Sequence, residues 1–95
     1  MAPARKTITV RIEGRVQGVY YRAWTEQMAH RLDLDGWVRN RRDGTVEAVI
    51  SGEPLQVDEM LRRCADGPPD ARVTKVVVTD EGGEPPSGFQ VLPTH

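Results

Sequence analysis

The chain has 95 residues, with 13 Lys and Arg against 14 Asp and Glu, a formal net charge of −1 and a single cysteine. That length makes one domain with a thin two-layer core, over residues 1–95. The balanced charge lacks the basic excess of a nucleic-acid binder, and one Cys with two distant His excludes an internal disulfide and a zinc cluster.

Residues 1–6 are expected as a loose N-terminal arm. From Thr7 to Glu13 the pattern alternates, with Ile8, Val10 and Ile12 on one face, as in a strand with one wet side. Residues 14–21 break that alternation with two glycines. From Arg22 to Leu34, Trp24, Met28 and Leu32 then mark a helical face at i, i+4, i+8. Strands over Trp37–Arg42 and Thr45–Gly52 flank Asp43-Gly44, a hairpin signal that predicts a tight turn. Pro54 begins a second helix whose Val57, Met60, Leu61 and Cys64 share one side, and Gly67-Pro68-Pro69 ends it. A Val-rich strand over Val73–Thr79, a loop at 82–86 and a short edge strand over Phe89–Leu92 complete the chain.

The longest aliphatic or aromatic runs are three residues, such as Val76-Val77-Val78. A signal peptide needs an apolar core of roughly 7–15 residues and a spanning helix about 20, so a cytoplasmic protein with no membrane partner is expected.

The order β-α-β-β-α-β predicts a ferredoxin-like α+β sandwich. Two helices pack on one face of an antiparallel sheet of four strands, with a short fifth edge strand as an addition. Right-handed crossovers make strands one and two parallel, so both end at the same edge of the sheet. Loop 14–21, the start of helix one and the end of strand two near Asn40 therefore meet there.

Two glycines leading into a helix N-terminus make a concave nest of amides for a phosphate or carboxylate, and Arg22 adds a fixed bidentate charge. The same turn also serves as a plain tight connection. Trp24, Met28, Leu32 and Cys64 read as core rather than cofactor contacts, and at least one ring of Tyr20-Tyr21 is expected to pack against Trp24 or Trp37.

Gly14-Arg15-Val16-Gln17-Gly18-Val19-Tyr20-Tyr21-Arg22 resembles the first motif of the acylphosphatase family. Gly36-Trp37-Val38-Arg39-Asn40 with Asp43-Gly44-Thr45-Val46 resembles its second, and Gly67-Pro68-Pro69 with Ala71-Arg72-Val73 resembles the segment before strand four. The match runs from about Thr7 to Val91. It implies an enzyme that hydrolyses the carboxyl–phosphate bond of acyl phosphates. The loop at Arg15, Val16, Gln17, Gly18, Val19 and Tyr20 would hold the phosphate together with Arg22, and Asn40 would position the attacking water. Arg41 departs from the Thr that follows this Asn in many vertebrate members, and Pro93-Thr94-His95 departs from a common aromatic terminus.

The leaving carboxylate has a conjugate acid with a pKa near 4–5, so no general acid is required. Neither metal nor cofactor is expected. The expected partners are a small acyl phosphate and inorganic phosphate, the latter as product and competitive inhibitor, acting on a monomer. Arg39, Arg41 and Arg42 offer a steering field. Two rival readings are a non-catalytic phosphate- or carboxylate-binding regulatory module and an RNA-binding module of the same strand order. The second needs aromatics on strand three, and Thr45-Val46-Glu47-Ala48-Val49-Ile50 has none.

Overall fold

A computed structural model describes residues 4–95. Its elements are β1 (Lys6–Arg15), α1 (Tyr21–Arg31), β2 (Asp35–Asn40), β3 (Val46–Gly52), α2 (Pro54–Cys64), β4 (Arg72–Glu81) and β5 (Phe89–Val91). They form one five-stranded sheet in the order β4-β1-β3-β2-β5, with α1 packed over β2 and β5 and α2 over β1, β3 and β4. The ferredoxin-like sandwich predicted from the periodicities is the observed fold.

The sheet is mixed, however, where a purely antiparallel one was expected. β5 forms and runs parallel to β2, pairing Gly36 with Phe89 and Val38 with Val91. The cause is the route of the chain after β4. Residues 82–88 pass from one sheet edge to the other along the end where β2 begins, tied by Gly82 N–H to the Thr7 oxygen and by Gly36 N–H to the Gly88 oxygen. The chain therefore joins β2 from the same end.

Of the loose arm expected at 1–6, residues 1–3 lie outside the described residues. Lys6 is already in β1, and Arg5 pairs with Asp35 at 2.7 Å, so the strand starts earlier than its alternation suggested.

Ile8, Val10 and Ile12 of β1, with Val46, Ala48 and Ile50 of β3, carry the helix-facing core, and α2 adds Val57, Met60 and Cys64. In α1 the buried stripe is Tyr21, Thr25 and Ala29, while Trp24, Met28 and Leu32 are half-buried on its flank. The expected face does pack against the core, but the most deeply buried stripe has the same i, i+4, i+8 spacing displaced by one residue. Hydrophobicity hid the true stripe, because Thr25 satisfies its hydroxyl on the Tyr21 oxygen at 2.8 Å and Ala29 offers little apolar area while permitting close approach.

The β2–β3 connection spans residues 41–45, longer than the tight turn expected at Asp43-Gly44, and β2 begins two residues early. Asp43 accepts from the Thr45 N–H at 3.0 Å and from its hydroxyl at 2.7 Å, and Gly44 takes φ 93°. Those bonds also hold the Asp43 carboxyl below its usual range. Gly36 has a stricter requirement: its φ is +137°, and a Cβ there would lie 1.8 Å from the Val49 oxygen.

Candidate active site

The site is built at the end of the sheet where β1 and β2 terminate. Ile12, Val46 and Asn40 lie in one row across three strands, so Asn40 closes β2 two strands away from Ile12, which lies three residues before β1 ends at Arg15. Alternation along β2 turns Gly36, Val38 and Asn40 to the helix side and Trp37 and Arg39 to the open side.

Loop 16–20 joins β1 to α1 and is pinned by two side chains. Val16 and Val19 are buried, which leaves Gly18 and Tyr20 at the surface. Both of those exposed residues are left-handed, with φ 73° at Gly18 and 72° at Tyr20, the latter at the helix N-cap. Tyr20 is a non-glycine residue held there by the helix start and the buried neighbours on either side. No backbone hydrogen bond outside helices and strands, among the described residues, takes up the N–H groups of residues 16–20. These amides and the positive end of α1 make the loop a receptor for an anion.

Gln17 sends its side chain away from that concavity. Its carboxamide nitrogen donates to the main-chain oxygens of Arg41 at 2.7 Å and Thr45 at 2.9 Å, fastening the loop to the hairpin that follows Asn40. His95 adds a brace from the other side, donating its N–H to the Asn40 oxygen at 3.0 Å and accepting from the Arg42 N–H at 3.2 Å. Neither brace was legible in the sequence, because both use main-chain oxygens.

Asn40 is only 9% exposed, and its Oδ1 is buried with no hydrogen-bond partner among the described residues. A buried carboxamide oxygen left bare costs about 1–3 kcal/mol and implies a donor that arrives from outside. Arg22, in the first turn of α1, forms no ion pair among the described residues. Its charge is therefore uncommitted.

The steering field expected from Arg39, Arg41 and Arg42 is reduced but not removed. Arg39 lies on the open face, 2.8 Å from Glu47 and stacked on Trp37 with its guanidinium carbon 4.7 Å from the ring centroid; Arg41 is 3.3 Å from the same carboxylate. The single charge of Glu47 offsets only one of these two, so one positive charge remains beside that of Arg42.

Of the paired tyrosines, Tyr21 is buried against Trp24, with centroids 5.4 Å apart, and donates its hydroxyl to the Cys64 oxygen at 2.6 Å. Burial pushes the Cys64 thiol up to about 12. It is a core residue. Among the described residues no three His, Cys, Asp or Glu side chains converge as metal ligands, and no helix is long and apolar enough to cross a membrane.

The sequence profile of the acylphosphatase family matches residues 8–91. The chain is 48% identical over 92 residues to an acylphosphatase of Rhizorhabdus wittichii, covering 97% of this chain and 93% of that protein. It is 51% identical over 89 residues to an acylphosphatase of Rhodospirillum rubrum, covering 94% and 98%. Among solved structures, an acylphosphatase from Coxiella burnetii superposes with a TM-score of 0.88 at 36% identity over 93% of each chain. The chain thus belongs to the acylphosphatase family, and its activity is hydrolysis of acyl phosphates.

Proposed function

We propose that the N–H groups of Arg15, Val16, Gln17, Gly18, Val19 and Tyr20, with the Arg22 guanidinium, hold the phosphoryl group while Asn40 orients an in-line water. The observation that carries this reading is the buried, unpartnered Oδ1 of Asn40 beside a loop whose amides are unpaired. A water donating to Oδ1 is fixed in direction, and attack on a phosphorus held by the loop becomes effectively unimolecular.

As the P–O bond to the acyl group breaks, its electron pair leaves on the carboxylate. Arg22 and the loop amides stabilise the charge spread over the phosphoryl oxygens. The carboxamide of Asn40 is too weak a base to take the water's proton, which passes to a phosphoryl oxygen of the substrate. The products are carboxylate and dihydrogen phosphate. Because arginine and amides supply the positive charge and the leaving group needs no acid, the enzyme works without a metal; we further propose that it acts on small acyl phosphates as a monomer in the cytoplasm.

Benzoyl phosphate hydrolysis, assayed with and without EDTA, tests this. Rapid, chelator-insensitive turnover competitively inhibited by inorganic phosphate is the expected result. Loss of turnover in EDTA would overturn metal independence, and phosphate binding without turnover would favour a binding module.

A further inference from the structure

Beside the phosphate loop lies an open groove of about 460 Å³, lined by Arg15, Gly18 and Val19 on one side and by Pro69, Asp70, Ala71 and Arg72 on the other. Arg15, through its main chain, Gly18 and Val19 belong to both the groove and the proposed cradle, so the two are continuous. The groove is large enough for a small acyl chain.

Its charge arrangement is unlike the rest of the ladder. Along β1 and β4, Glu13 faces Lys75 and Arg11 faces Val77, but at the end nearest the loop Arg15 faces Arg72. Like charges directly opposite on neighbouring strands destabilise a sheet. Both arginines are exposed, and neither forms an ion pair among the described residues. Asp70, also in the groove, forms none with either of them, so the lining keeps a positive excess. An anion lying between the two guanidinium groups would relieve their repulsion and gain charge-assisted hydrogen bonds from both.

We propose that Arg15 and Arg72 form a second anion subsite, which makes the preferred substrates acyl phosphates whose acyl part ends in another anionic group. This rests on the phosphoryl group sitting on loop 16–20. The scissile phosphate occupies the cradle, the acyl chain runs along Gly18 and Val19, and its far end reaches the arginine pair.

The test compares kcat/KM for 4-carboxybenzoyl phosphate and 4-methylbenzoyl phosphate, rigid substrates of similar size that differ in one charge. The wild type should favour the carboxylate roughly fivefold, as expected for weakly screened surface pairs. In Arg72→Gln the ratio should fall to near one, and in Arg72→Glu below one, with turnover of the methyl substrate reporting that each variant is folded. Arg31→Gln, which removes an exposed arginine at the C-terminal end of α1 and outside the groove, should keep the wild-type ratio. A wild-type ratio of one, a ratio unmoved by Arg72→Gln, or an equal fall in Arg31→Gln would overturn the subsite and leave the catalytic reading standing. Failure to hydrolyse either substrate would overturn that reading, and the subsite with it.

Discussion

Gln17 and Arg41 are joined by a 2.7 Å hydrogen bond from the Gln17 carboxamide to the Arg41 main-chain oxygen, and the same nitrogen reaches the Thr45 oxygen at 2.9 Å. One side chain thereby fixes loop 16–20 against the residue that follows Asn40. Gln17→Ala should lower kcat between about tenfold and a hundredfold, the usual cost of a misplaced reacting pair. The loss should overlap with that of Asn40→Ala, so that the double variant is within about twofold of Asn40→Ala alone. Full additivity would mean that Gln17 shapes only the loop.

Arg22 and Asn40 should separate kinetically. In the proposed mechanism Arg22 contacts the phosphate in both ground and transition states, so Arg22→Gln should raise KM and the phosphate inhibition constant and cost about 10²-fold or more in kcat/KM. Asn40→Ala should lower kcat by about 10²-fold with little change in phosphate inhibition. It should also leave the urea midpoint little changed, since the oxygen it deletes has no partner among the described residues. A clear drop in stability would show that Asn40 serves the fold.

Tyr21 and Cys64 offer a test of the core. Tyr21→Phe removes the buried donor to the Cys64 oxygen and should cost about 1–2 kcal/mol, a fall in Tm of roughly 4–16 °C for a chain of this size. With its thiol pushed up to about 12 by burial, Cys64 should resist a thiol reagent at pH 8 in the native protein and react on unfolding. Labelling should be faster in Tyr21→Phe, and an unchanged rate would show that labelling does not require the opening this bond resists.

Asp35 ties β2 to the N-terminal segment and to the loop before β5. The Gly88 N–H first, and the Arg5 guanidinium next, hold its carboxyl below the ordinary value. A carboxyl lowered on folding contributes stability above its unfolded pKa of about 3.9 and loses it as pH falls through the folded value. The gap in urea midpoint between wild type and Asp35→Asn should therefore be full at pH 7 and close on acidification below about pH 4. A gap independent of pH would assign the effect to packing.

Much of the fold was legible because burial imposes periodicity. The alternation of Ile8, Val10 and Ile12 and the stripe of Val57, Met60 and Cys64 each specify an element and the face it buries. The shared edge of loop 16–20 and Asn40 followed from crossover handedness, and the residue types of the two motifs named the chemistry. Tertiary structure decided what local pattern does not carry. It buried Tyr21, Thr25 and Ala29 more deeply than Trp24, Met28 and Leu32, because the Tyr21 hydroxyl is satisfied on the Cys64 oxygen, the Thr25 hydroxyl is satisfied on its own helix and the Ala29 methyl permits close approach. Packing at Val16 and Val19 held Tyr20 in a left-handed conformation that its side chain does not favour. The near-zero net charge indicated only balance; pairing across strands placed Glu47 against Arg39 and Arg41 and left Arg15, Arg22, Arg42 and Arg72 without an ion pair among the described residues. Charges far apart in the chain cancel or reinforce only once folding sets their distance.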